Sequence, residues 1–139
     1  MAPKTRSCKL KHYLKAKQGL ASILNTEIIN KTDGTIIIVA KAGYKKLMSN
    51  AALQKSINNG FSMQQHFSAV ASFKSLFESA KLQSIQDDRK GDDNVKILRY
   101  ISAFTYQGKN IKALLTIKHT LNIDIKRGYA LELMGYLQG

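Results

Sequence analysis

His66 stands in the stretch NNGFSMQQHFSAVASFKSLFESAKL, whose apolar residues Met63, Phe67, Val70, Phe73, Phe77 and Ala80 recur every three or four positions. That spacing predicts an amphipathic helix with its stripe turned toward a core. An imidazole beside such a stripe is either a packed, hydrogen-bonded core group or a proton carrier. Lys45 and Lys46 open the preceding predicted helix, just after a strand end. Farther along, Arg99 falls opposite Lys118 if the chain reverses in a two-residue turn at Gly108-Lys109, with Thr116 one step along the same face. Like charges facing each other in a ladder are destabilising, so an anion between them would make sense of the pair. Two solvated cations on an open sheet face are the plainer alternative. A histidine, lysines, a cross-strand cation pair and a hydroxyl are what metal-free RNA cleavage needs. A base takes the 2′-OH proton, cations hold the in-line phosphate, and an acid serves the departing 5′-oxygen.

These groups must be held by elements that the sequence also indicates. Residues 1–8 read as a loose basic lead and 9–24 as a short amphipathic helix. EIINKTDGTIIIVAKAG reads as a hairpin about Asp33-Gly34, a strong turn signal between β-branched runs. YKKLMSNAALQKSI reads as a helix ended by Asn58-Asn59-Gly60. Ser62 and Gln65 have the spacing of a capping box, and the helix they start is expected to run to about Leu82. DDRKGDDN is a polar loop, residues 95–121 are two strands across Gly108-Lys109, DIKRG is a loop, and YALELMGYL is a last strand. The predicted class is α+β, with two to three helices from the N-terminal half packed on one face of a twisted antiparallel sheet. In the late hairpin, Leu98, Tyr100, Ser102, Phe104 and Tyr106 share the core face. The same register turns His119 toward the core.

Charge is the loudest global property. The net charge is +13, and the first 60 residues hold half of the 22 Lys and Arg but only two of the nine acidic residues. A compact chain with this excess repels itself, and RNA, DNA or an acidic protein would relieve that repulsion. The longest aliphatic run, IIIVA, is far short of the ~20 residues of a membrane span. The basic start carries no hydrophobic stretch of the signal-peptide kind, so a soluble chain is expected. Cys8 is alone, and His12, His66 and His119 show no metal-binding spacing, so neither a metal nor any other cofactor is expected. With Glu27, Glu78 and Glu132 the only glutamates, a paired-carboxylate hydrolase is disfavoured.

The segments AGYKKLMSNAALQKS, QHFSAVASFKSLFESA, DDRKG, LRYISAF, GKNIKALLTIKH and GYALELM follow one another as in a known toxin domain. The chain resembles ribonuclease toxin domains of the barnase/EndoU/colicin/RelE-like superfamily, found in large polyvalent and polymorphic-toxin proteins. It is also similar to C-terminal toxin domains of contact-dependent growth inhibition proteins. The likeness spans about residues 35–135, leaving 1–34 as a basic N-terminal segment with the first strand, and 35–139 as the toxin domain of one overall unit. The family pattern has a helix-start lysine, a helical histidine, a strand arginine, a T-x-K on the next strand and a tyrosine opening the last strand. These fall on Lys46, His66, Arg99, Thr116 with Lys118, and Tyr129. An acidic residue often follows that lysine in the family, where this chain has His119.

The resemblance implies a metal-independent endoribonuclease, with tRNA as the expected substrate. It further implies a cognate immunity protein, acidic if it complements the basic face, delivery into a target-cell cytoplasm, and possible dependence on a host activating factor. The expected roles follow. His66 serves as base or acid, Lys46, Arg99 and Lys118 bind the scissile phosphate, and Thr116 orients an oxygen or the imidazole. Tyr129 stacks on a base or assists proton transfer, and Lys45 with Lys9, Lys11, Lys15 and Lys17 tracks the RNA backbone. Two alternatives stay open: a nucleic-acid-binding module without chemistry, and a basic domain docking an acidic protein.

Overall fold

The structure, a computed structural model, describes the backbone of residues 4–137 and the side chains of residues 10–137. Helix α1 (Lys4–Ile23) leads into a short hairpin, β1 (Ile28–Ile29) and β2 (Ile36–Ile37). Four short helices follow: α2 (Lys41–Leu47), α3 (Asn50–Asn58), α4 (Met63–Ala71) and α5 (Phe73–Ser79). The chain ends in an antiparallel meander of β3 (Lys81–Asp87), β4 (Val95–Tyr106), β5 (Lys109–Thr120) and β6 (Ile125–Tyr136). The class is therefore α+β, as expected. Among the described residues no helix is long and apolar enough to cross a membrane.

The core forms where the stripe of α4 and α5 meets one face of the sheet. Phe67, Val70, Phe73 and Phe77 are buried, and Phe77 packs edge-on against Tyr100 with centroids 5.0 Å apart. From the sheet come Leu98, Phe104, Ile111, Leu115, Ile117 and Leu131. Helix α1 lies on the outside of α4, with Ala16 and Leu20 fully buried and Tyr13 edge-on to Phe67. It is a packed part of the fold, beginning at Lys4 rather than at residue 9. A boundary at residue 34 would cut the β1–β2 hairpin, whose pairs are Ile28–Ile37 and Ile29–Ile36.

Both long predicted helices are broken. The first divides at Met48 and Ser49, where the Ser49 hydroxyl accepts from the Ala52 amide and starts α3. The second has the expected capping box at Ser62 and Gln65 but breaks at Ser72 and stops at Ser79. Residues expected to end it, and the start of the polar loop, instead form β3, the open edge of the sheet. DIKRG is not a loop, because β6 already starts at Ile125.

The β4–β5 turn is Gln107-Gly108, not Gly108-Lys109. Gln107 and Gly108 both have positive φ, 49° and 78°, as a type I′ turn requires. Tyr106 then pairs with Lys109, and every opposed pair moves along by one residue on each strand. That slip preserves which face each side chain takes, so the predicted core face is correct. It changes the partners: Arg99 faces Thr116, and Lys118 faces Ile97.

Candidate functional site

On the sheet face away from α4 and α5 lies a cleft of about 650 Å³. Its floor includes Arg99 and Thr116, and α3 and the β3–β4 loop form its walls, with Lys55, Arg89 and Lys90 among them. Lys46 and Tyr129 meet at its edge: the lysine Nζ donates to the phenol oxygen at 2.9 Å and lies 4.3 Å from the ring centroid.

Two backbone features bring that pair together. Thr116 pairs with Ala130 and Ile117 with Gly128, so Tyr129 is the extra residue of a β-bulge. A bulge re-aims the side chain it displaces. Gly43, one turn before Lys46, sits so close to β6 that a Cβ there would lie 2.2 Å from the Gly128 carbonyl oxygen. A Cβ on Gly128 would in turn fall 2.9 Å from the Phe73 ring. The missing side chain at Gly43 thus lets α2 dock on the bulge, and the one at Gly128 lets β6 pass beside Phe73.

The electrostatics separate Tyr129 from Tyr100, a tyrosine of the core. Its hydrogen bond from Lys46 holds the Tyr129 phenol below the ordinary value near 10, against the effect of burial, and the charges of Lys46, Lys118 and Lys90 act in the same direction. Tyr100 goes the other way: burial, joined by the Asp33 carboxylate it donates to, pushes it up to about 12. The Tyr129 phenol gives up its proton more readily than a free one; Tyr100 is a fixed donor tying the β1–β2 loop to the sheet.

The expected residues divide into two groups. Lys46, Arg99, Thr116 and Tyr129 share the cleft, and Lys118 stands beside it with Nζ 6.0 Å from the Tyr129 ring centroid. His66 does not join them. It is fully buried between α3 and α4, with Nδ1 2.8 Å from the Ser56 hydroxyl and Nε2 without a partner. The apolar stripe carried it into the core, so its expected meeting with the cations is corrected. The direct opposition of Arg99 and Lys118 is corrected too; they are diagonal neighbours on one face.

Lys45 is exposed but is not part of the cleft wall. Lys11, Lys15 and Lys17 are exposed on α1, on the helical side of the sheet, and so do not extend the cleft. Lys9 lies outside the residues whose side chains are described. His119 reaches the rim of the sheet, where its Nε2 bonds Asp124 at 2.7 Å, rather than entering the core. Sequence reasoning missed Lys55, Asp87, Asp88, Arg89, Lys90 and Glu132, all in the cleft wall. Only a correct placement of β3 and α3 would have gathered them. Among the described residues no group of three or more His, Cys, Asp or Glu side chains gathers to hold a metal ion.

No curated protein and no solved structure matches the chain. A family model does: that of large polyvalent protein-associated domain 3, over residues 10–129. The match starts within α1 and ends at Tyr129, taking in the cleft's Lys46, Arg99 and Thr116. The chain belongs to the large polyvalent protein-associated domain 3 family.

Proposed function

We propose that the cleft is the active site of a metal-independent endoribonuclease, the toxin part of a polymorphic-toxin system. The observation carrying this reading is the Lys46–Tyr129 hydrogen bond at 2.9 Å, inside a cleft that also holds Arg99 and Thr116. The phenolate form of Tyr129, which the Lys46 hydrogen bond favours, takes the proton of the 2′-OH. The freed 2′-oxygen attacks phosphorus, the bond to the 5′-oxygen breaks, and Lys46 supplies that oxygen with a proton. Transfer from the Tyr129 hydroxyl back to Lys46 along their hydrogen bond resets both groups. Arg99 balances the charge gathering on the non-bridging oxygens of the scissile phosphate, and Thr116 donates to one of them. The products are a 2′,3′-cyclic phosphate and a 5′-hydroxyl. His66 has no place in this scheme.

Around that chemistry we place tRNA as substrate, an acidic immunity protein over the cations of the cleft, delivery into a target cell's cytoplasm, and a host factor as activator. Association with large polyvalent proteins supports the setting. A second reading rests on one observation: the helical histidine is sealed in the core, leaving the cleft without an imidazole. On that reading the domain holds nucleic acid without cutting it.

The test is RNA cleavage by the purified chain with EDTA present, with sequencing of the new ends. Cyclic phosphate ends and a loss of roughly 10²–10⁴ in rate for Tyr129→Phe and Lys46→Met are expected, the size of an acid–base contribution. Salt-sensitive binding of uncut RNA would favour the second reading. Cleavage only after added Mg²⁺ would defeat the mechanism.

A further inference from the structure

The like-charge opposition expected of Arg99 and Lys118 is present elsewhere. Lys118 on β5 pairs directly with Arg127 on β6. Both project on the open sheet face, since Thr116 and Lys118 share it along β5 and Arg127 is Lys118's cross-strand partner. Side chains so placed have Cβ atoms about 5 Å apart and repel. The ion pairs among the described residues are Lys96–Asp87, His119–Asp124 and Lys126–Asp124, so neither Lys118 nor Arg127 has a carboxylate within 4 Å. Arg127 is exposed and lies outside the cleft wall.

The position of the pair indicates its ligand. Lys118 lies two residues along β5 from Thr116, about 7 Å at the rise of a strand, and Thr116 faces Arg99 across the sheet. Arg99 and Thr116 therefore define one anion position, and Lys118 with Arg127 a second, on the same face and one short step away. A single phosphate cannot reach both. An extended chain of linked phosphates can, and its next phosphate would relieve the repulsion between the opposed cations. The rim on that side ends in the β5–β6 turn, with Lys126 and His119 already engaged by Asp124.

We infer that Lys118 and Arg127 form a second phosphate subsite, which takes the phosphate adjoining the one in the cleft and makes an extended single-stranded RNA the preferred ligand. The inference rests on the ribonuclease reading for the ligand class, and on the cation pair alone for the site.

The experiment measures binding of fluorescent, uncleavable 2′-O-methyl oligonucleotides, from dimer to octamer, across a range of salt concentrations. Arg127→Gln should leave the dimer unaffected. It should weaken the longer strands and lower their salt slope by ~0.7, the loss of one single-strand phosphate contact. Arg99→Gln should weaken dimer and octamer alike. Melting curves should show Arg127→Gln as stable as the parent or more so, since an opposed charge is gone. Unchanged octamer affinity and slope in Arg127→Gln, beside a loss in Arg99→Gln, would overturn the subsite and leave the cleft standing. No binding by the parent would overturn both. Equal binding of poly-glutamate, with the same dependence on Arg127, would replace the phosphate ligand with an acidic protein.

Discussion

His66 shows how a residue suited to chemistry is used for packing. The Ser56 hydroxyl accepts the Leu133 amide hydrogen at 3.1 Å and shares a 2.8 Å hydrogen bond with His66 Nδ1, while Nε2 has no partner. A charged ring would sit in a dry site, and burial lowers the pKa from 6.5 to about 4. Above pH 6.5 both folded and unfolded chains hold the ring neutral. Below it the unfolded chain gains a proton that the fold refuses. Stability should therefore fall as pH drops from 6.5 toward 4 and then level, by about 3 kcal/mol in all. Urea unfolding at pH 7, 5.5 and 4.5 measures this, and His66→Gln should flatten that part of the profile. A parent profile already flat there would mean water reaches the ring. His66→Ala should cost about 2–4 kcal/mol by removing a partner of Ser56 and leaving a void behind, while the protein that remains folded keeps whatever RNA cleavage the parent shows.

At the scale of elements, docking α2 onto the β6 bulge positions the site, and glycine makes the docking possible. Gly43→Ala puts a methyl 2.2 Å from a backbone oxygen, so α2 must move and Lys46 must leave Tyr129. The expected outcome is a Tyr129 titration returning toward 10, read in ultraviolet difference spectra against Tyr129→Phe, with the protein still folded by circular dichroism. An unmoved titration would show that the lysine follows the phenol by its own flexibility. A second joint is Asn30, fully buried, whose amide group donates to the Phe77 and Ala80 carbonyls while its oxygen accepts from the Thr32 and Asp33 amides. Asn30→Ala leaves these backbone groups unpaired and should lower unfolding free energy by roughly 2–4 kcal/mol in urea titrations, without altering the cleft. Sequence alone showed part of this architecture. The Ser62–Gln65 cap was legible because its chemistry is local, and the β4–β5 faces were legible because moving the turn by one residue at each end preserves alternation. Edge strand β3 was not. KLQSIQD follows α5 with no glycine or proline between them, and as an edge it buries too little to show a clean alternation. The bulge at Tyr129 lies where α2 comes close to β6, a long-range approach that nothing in GYALELM announces.

For the whole molecule, the question is where its +13 charge is answered. The sheet divides the cations: Lys11, Lys15 and Lys17 sit on the helical side, whereas Lys46, Lys55, Arg89, Lys90 and Arg99 gather round the cleft on the other. Simple salt should stabilise the domain by screening this self-repulsion, wherever the charges lie. Phosphate should do more, because an anion bound to the folded cleft and not to the unfolded chain adds RT ln(1 + [L]/Kd), roughly 2.7 kcal/mol at a hundredfold excess over Kd. In a chain of this size each kilocalorie moves the melting point by about 2–4 °C. Melting in sodium phosphate should accordingly exceed melting in sodium chloride at equal ionic strength by several degrees. Arg99→Gln should remove most of that difference and Lys15→Gln none of it, since only the first takes a charge from the cleft. If the difference survives Arg99→Gln but shrinks in Lys15→Gln, the anion is held by α1 on the helical side, and the cleft is not the polyanion surface of this domain.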